Sequence, residues 1–140
     1  MSLDGGGGLR VSHRWHTRGR PVVYCTPNPA TALLEVLVHA EIEVEDLPTR
    51  YRFLKIEAPD RISIDRVNEA ELLAGWQDDS SVTRRIGDTW LRSGRTVFLE
   101  VPSVLVPDTF NTLFNPRHAD ASRVRIIEVL EHVLDPRLLR

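Results

Sequence analysis

The sequence predicts a single α+β domain, built on a mixed, mainly antiparallel sheet with flanking helices, and three observations carry that prediction. Helical and strand-like patterns follow one another without regular alternation, which disfavours a doubly wound parallel sheet. The chain's 140 residues suffice for one core without disulfide or metal staples. No Gly-x-Gly-x-x-Gly fingerprint is present, so a nucleotide bound here is not bound in the Rossmann manner.

Composition narrows the function classes. Apolar residues make up 41% and charged residues 27%, ordinary soluble usage that excludes disordered and fibrous classes. A formal net charge of -2 gives no electrostatic footprint for direct nucleic-acid binding, although local basic patches remain able to hold phosphates. Cys25 is the single cysteine, which excludes an intramolecular disulfide and favours a reducing, cytoplasmic compartment. No segment approaches the roughly 20 apolar residues that span a bilayer, and residues 1-12 lack a signal-peptide pattern. A soluble protein with no membrane partner is expected.

The elements follow in order. Gly5-Gly6-Gly7-Gly8 is costly to order, so residues 1-8 are expected as a flexible lead-in and 9-140 as the folded domain. Pro21 to Thr26 is a β-rich run stopped by Pro27-Asn28-Pro29, with Asn28 as helix cap and Pro29 in the first turn. Ala30, Leu33, Leu34, Leu37 and Val38 share one face at helical spacing, which predicts a core-facing helix from Pro29 to about Glu41 with Thr31, Glu35 and His39 opposite. Tyr51 to Ile56 and Ile62 to Ile64 read as strands separated by Pro59-Asp60. Ser80 or Ser81 caps a helix carrying Val82, Ile86 and Trp90 that ends at Ser93-Gly94. Strands follow over Thr96 to Val101, stopped by Pro102, and over Val124 to Leu130.

Several residues are candidates for chemistry. Arg14-Trp15-His16-Thr17-Arg18-Gly19-Arg20 gathers three arginines, a histidine and an aromatic ring, a set suited to clamping pyrophosphate and equally to a solvated basic turn anchored by Trp15. Glu35 is the sole carboxylate in the first twelve residues of its apolar helix; it suits stabilising a positive transition state, and equally an ordinary solvent face. Asn111, Asn115 and His118 cluster near Asp120, where turn formation is the plain reading and no helical zinc spacing is matched, so no metal is expected. Ser103 has no Gly-x-Ser-x-Gly elbow around it.

Five segments taken together resemble the RES domain of bacterial toxins. They are His13 to Tyr24, Ala32 to His39, Gly87-Asp88-Thr89-Trp90-Leu91, Val101 to Pro107, and Asn115-Pro116-Arg117-His118, in family order and covering most of the chain from about Leu9 onward. The resemblance implies an ADP-ribosyltransferase-like fold, a toxin of a type II toxin-antitoxin pair, and an Xre-type helix-turn-helix antitoxin as partner. It also implies depletion of NAD+ as substrate, with no further cofactor, by cleavage of the nicotinamide-ribose bond. The family's functional tyrosine, glutamate and serine fall on Tyr24, Glu35 and Ser103. Arg14 matches the arginine of the family's Gly-Arg-Trp segment, with His13 where that glycine is usual, and Arg18 and Asn115 complete the implied NAD-binding set.

Family members usually carry one more arginine on a strand before the glycine-rich segment, and this sequence does not include it. A mono-ADP-ribosyltransferase acting on a cellular protein, and a catalytically impaired RES-like binding protein, therefore stand as alternatives to NAD+ degradation. Hydrolysis, phosphorolysis and transfer share the first bond-breaking step, so the sequence does not separate them, and it leaves homo-oligomerisation open.

Overall fold

The computed structural model describes residues 2-39 and 49-139. In chain order the elements are α1 (Gly6–Arg10), β1 (Val23–Cys25), α2 (Pro29–His39), β2 (Arg50–Glu57), β3 (Ile64–Arg66), α3 (Ser80–Ser93), β4 (Phe98–Pro102), β5 (Phe110–Phe114) and β6 (Arg125–Val133), with short 3-10 turns between them. One sheet has the order β1-β5-β4-β3, antiparallel except for the β3-β4 pair, and β2 and β6 form a separate antiparallel ribbon. The mixed, mainly antiparallel α+β class expected from the sequence is the one observed.

The four-stranded sheet is covered on both faces. Leu99 and Val101 of β4 and Leu113 of β5 pack with Trp15, Val22, Trp76 and Trp90 on one face. Phe98 and Phe114 alternate with them and pack with Val97 and Val124 on the other. A strand buried on both sides reads as a nearly continuous apolar run, which is why β4 is so plain in the sequence. Burial on the second face also pushes the half-buried Cys25 thiol up to about 11, leaving it a small apolar filler rather than a nucleophile.

Helix α3 closes the first face. Its cap is Asp79, whose carboxylate accepts from the Ser81 backbone at 2.9 Å and the Ser81 hydroxyl at 2.6 Å, one position earlier than the expected serines. At its far end Trp90 donates through Nε1 to Thr96 Oγ1 at 2.8 Å, and Thr96 donates onward to the Phe98 carbonyl, tying α3 to β4.

Three expectations are corrected. The glycine-rich lead-in is helical over Gly6–Arg10, and Gly8 packs so closely that a Cβ there would lie 2.3 Å from the Arg20 carbonyl. Close backbone approach is what Gly5 and Gly8 permit, since a Cβ at Gly5 would likewise lie 2.5 Å from the Val22 nitrogen. Second, Phe110–Phe114 is a strand, and an interior one, where the sequence reads as turn-forming asparagines.

Third, α2 does not bury the expected stripe. None of its residues is fully buried, Leu34 is 39% exposed, and Val36 and Val38 are also exposed, whereas Thr31, Leu33, Glu35 and Leu37 are half-buried. The helix is apolar almost all round, so periodicity cannot choose its inner face, and the expected end near Glu41 lies outside the described residues. Two sides of the helix are engaged instead: Leu33 lines an apolar cleft with Tyr51, Phe53 and Leu134 of the ribbon side, and Glu35, two residues on, meets Asn111 of β5. Leu34→Ala is accordingly expected to cost less than about 1 kcal/mol, against the 2-5 kcal/mol of a buried leucine. Thermal melting of that variant reads the difference directly.

Candidate functional site

Strand register brings Tyr24 and Glu35 to the same face of the sheet. Tyr24 of β1 pairs with Leu113 of β5, and Asn111 lies two residues along β5 from Leu113, so alternation puts Tyr24, Leu113 and Asn111 on one side. Asn111 donates through Nδ2 to Glu35 Oε1 at 2.9 Å, which draws the α2 carboxylate onto that side. The other carboxylate oxygen meets His39 Nε2 at 3.0 Å, one helical turn on. Glu35 is therefore held at both oxygens, half-buried, and does not occupy the free solvent face of its helix.

Tyr24 has a divided environment. The residue is 37% exposed, yet its hydroxyl is enclosed, accepting from the Trp15 backbone at 3.1 Å and meeting His16 Nδ1 at 2.8 Å. That enclosure pushes its pKa well above the ordinary 10, so the phenol stays neutral and its ring is the part offered to a ligand. His13 packs edge-on against it with ring centroids 5.7 Å apart.

His16 is fully buried. Burial holds its pKa below the ordinary 6.5, with the field of Arg84 acting in the same direction and backbone acceptors and Asp88 opposing. His13 is lowered as well, first by partial burial and then by the nearby His16, His39 and Arg84. An unfolded chain takes up these protons near pH 6.5 while the folded chain resists, so their contribution is fully present above pH 6.5 and is lost as pH falls below it. The urea midpoint should therefore drop between neutral and mildly acidic buffer; a level midpoint across that window would contradict a neutral, buried His16.

The remaining candidates are placed as follows. Ser103 directly follows β4, on the side of Leu99 and Val101 by alternation, and its Oγ accepts from the backbones of Leu105 at 3.1 Å and Val106 at 3.2 Å. Its visible work is to shape the turn towards β5. Arg14 precedes Trp15, and its carbonyl accepts from the Thr83 hydroxyl of α3. Arg18 is exposed, its backbone donating to Ser12 Oγ at 2.8 Å. Asn115 is buried and its Oδ1 accepts from the Arg117 backbone at 3.0 Å, a turn role. His118 likewise accepts through Nδ1 from the Asp120 backbone, so the imagined histidine-carboxylate pair is also a turn. No hydrogen bond among the described residues joins Arg18 or Asn115 to Tyr24 or Glu35.

Asn111 and His16 contact the candidate residues Glu35 and Tyr24, and the sequence reading misses both contacts. Asn111 could have been found from the alternation in Phe110-Asn111-Thr112-Leu113-Phe114, which sets it on the face of Leu113. Nothing in the sequence singles out His16 as the partner of Tyr24, since that contact depends on how the 13-17 loop turns back.

The RES domain family profile matches residues 1-135. The chain belongs to the RES domain family. It is 47% identical over 136 residues to Toxin Res of Pseudomonas putida, covering 97% of this chain and 92% of that protein. It is 34% identical over 142 residues to the Prs ADP-ribosylating toxin of Sphingobium sp., covering 99% and 87%, and 32% identical over 140 residues to Toxin Res of Photorhabdus laumondii, covering 98% and 88%. The RES match begins ahead of the glycine-rich segment, in keeping with α1 packing on the sheet's first loop.

Proposed function

We propose that this RES-domain toxin breaks the nicotinamide-ribose bond of NAD+ on the face shared by Tyr24 and Glu35. The observation that carries the proposal is the carboxylate of Glu35, fixed by Asn111 and His39 on the same side of the sheet as the part-exposed Tyr24 ring. The ring offers an apolar platform on which nicotinamide stacks. As the C–N bond breaks, its electron pair leaves with neutral nicotinamide and positive charge develops on the ribose, where a fixed carboxylate stabilises it. Water or another nucleophile then bonds to the sugar carbon and releases a proton.

Asn111 Oδ1 is buried with no hydrogen-bond partner among the described residues, and its Nδ2 contact to Glu35 is what aims the carboxylate. Ser103 at the end of β4 completes the catalytic set, and Arg14 and Arg18 of the 13-20 loop, with Asn115, complete the binding set. NAD+ is the substrate and no further cofactor is assigned.

ADP-ribosyl transfer to a protein is the second reading, favoured by the name of the Sphingobium relative, an ADP-ribosylating toxin. NAD+ labelled in its adenylate half, incubated with and without phosphate and cell extract, separates the outcomes. Label in free ADP-ribose supports hydrolysis, label in a phosphorylated sugar product supports phosphorolysis, and label on one extract protein supports transfer. Intact NAD+ in every arm would favour the catalytically impaired binding protein.

Beside Glu35, α2 exposes Leu34 and Val38, one helical turn apart on the same side. This apolar patch suits a partner that covers the site, the role assigned here to an Xre-type antitoxin. The assignment expects a stable co-purified complex in the cytoplasm. No described helix is long and apolar enough to cross a membrane.

A further inference from the structure

A cleft along α3 lies outside the residues assigned above. Thr17, Ser81, Arg84, Arg85, Asp88 and Arg92 line a space of about 380 Å³. The five helical positions recur at three- and four-residue steps, which puts them along one side of α3.

The single carboxylate in this lining is already engaged. Asp88 accepts from the Thr17 backbone at 2.9 Å and the Thr17 hydroxyl at 2.6 Å, and Arg20 Nε lies 3.3 Å away. Arg84, Arg85 and Arg92, by contrast, have no ion-pair partner among the described residues. Arg84 is pre-oriented, since its Nε donates to the His13 carbonyl at 2.8 Å and its two terminal nitrogens carry no hydrogen bond among the described residues. The lining thus holds three guanidinium groups to one carboxylate, with Arg20 beside that carboxylate, in a chain whose net charge is -2. Such a concentration of one sign is costly unless something anionic shares it.

We propose that the α3 cleft binds a diphosphate group. Guanidinium forks match phosphate oxygens bidentately, and several forks facing one space favour a ligand with charge on more than one phosphorus. The cleft adjoins the Tyr24 face, because the same Arg84 that lines it holds His13, whose ring packs on Tyr24. A dinucleotide stacked on Tyr24 would extend its own diphosphate this way. That source rests on the NAD+ reading; binding of a separate diphosphate does not.

Calorimetric titration of inorganic pyrophosphate into the full chain tests the proposal, with Arg85→Gln/Arg92→Gln as the variant. Both side chains are exposed, so the variant should fold, and thermal melting checks that it does. The expected result is measurable binding that weakens at least about tenfold in the variant and falls with added salt. Equal affinity in parent and folded variant, or no binding by the parent, would overturn it, as would an acidic peptide binding more tightly than pyrophosphate. Repeating the titration on Glu35→Gln protein with excess NAD+ separates the sources. Blocked pyrophosphate binding assigns the cleft to the dinucleotide, whereas retained binding assigns it to a separate diphosphate, and neither outcome depends on turnover.

Discussion

Glu35→Gln is expected to lower NAD+ turnover by about a hundred- to a thousandfold, roughly 3-4 kcal/mol of lost transition-state stabilisation, the scale seen when one fixed electrostatic stabiliser is removed. Folding should be almost unaffected. The amide oxygen can still accept from Asn111 Nδ2, and the amide nitrogen can donate to His39 Nε2 when that nitrogen is the unprotonated one, so both contacts of the carboxylate have a replacement. What disappears is the charge. Initial rates of nicotinamide release, measured beside the melting temperature, separate the two quantities; unchanged turnover in a well-folded variant would leave Glu35 as a structural carboxylate.

Gly87→Ala is expected to destabilise the fold by about 3 kcal/mol or more, at or beyond the top of the usual range for overpacking. A Cβ at position 87 would lie 1.6 Å from the Trp15 carbonyl oxygen and 2.8 Å from its carbon. Both are backbone atoms and cannot swing aside. The same part of α3 anchors the 13-17 loop through Thr83 to the Arg14 carbonyl, Arg84 to the His13 carbonyl and Asp88 to Thr17. Displacing that loop also moves the Trp15 N–H away from the Tyr24 hydroxyl, so activity should fall together with stability. A urea midpoint within error of the parent would show that helix and loop are not in this contact.

These two positions illustrate what was legible in the sequence. The strong elements, β4 and α3, were readable because burial on two faces gives an apolar run and burial on one face gives helical spacing. β5 was not, because Asn111 has poor strand preference in isolation and Asn115-Pro116 directly after the strand reads as a turn. Neighbours on both edges, β1 and β4, supply hydrogen-bond partners that override that preference. The orientation of α2 was hidden for a different reason: with Leu34, Val36 and Val38 as apolar as Leu33 and Leu37, the tie is broken by tertiary contacts, Leu33 in the ribbon-side cleft and Asn111 on Glu35.

The arrangement of the candidate site was half legible. Tyr24 and Glu35 came from resemblance to the RES domain, and the register of β1 on β5 brings them to one side. The enclosing contacts, His16 on the tyrosine hydroxyl and Asn111 on the carboxylate, join residues distant in sequence or folded back by a loop, and no local pattern encodes them. Gly8 and Gly87 read as loop or helix glycines until the chain that approaches each of them is in place.

NAD+ is expected to lie across the Tyr24 and Glu35 face, and a crystal structure of the slow Glu35→Gln protein with NAD+ bound would test that placement. The nicotinamide ring is expected on the exposed Tyr24 ring, with the ribose carbon of the scissile bond facing residue 35. Density for NAD+ in the apolar cleft of Leu33, Tyr51 and Phe53 instead, with the Tyr24 ring left bare, would contradict the account.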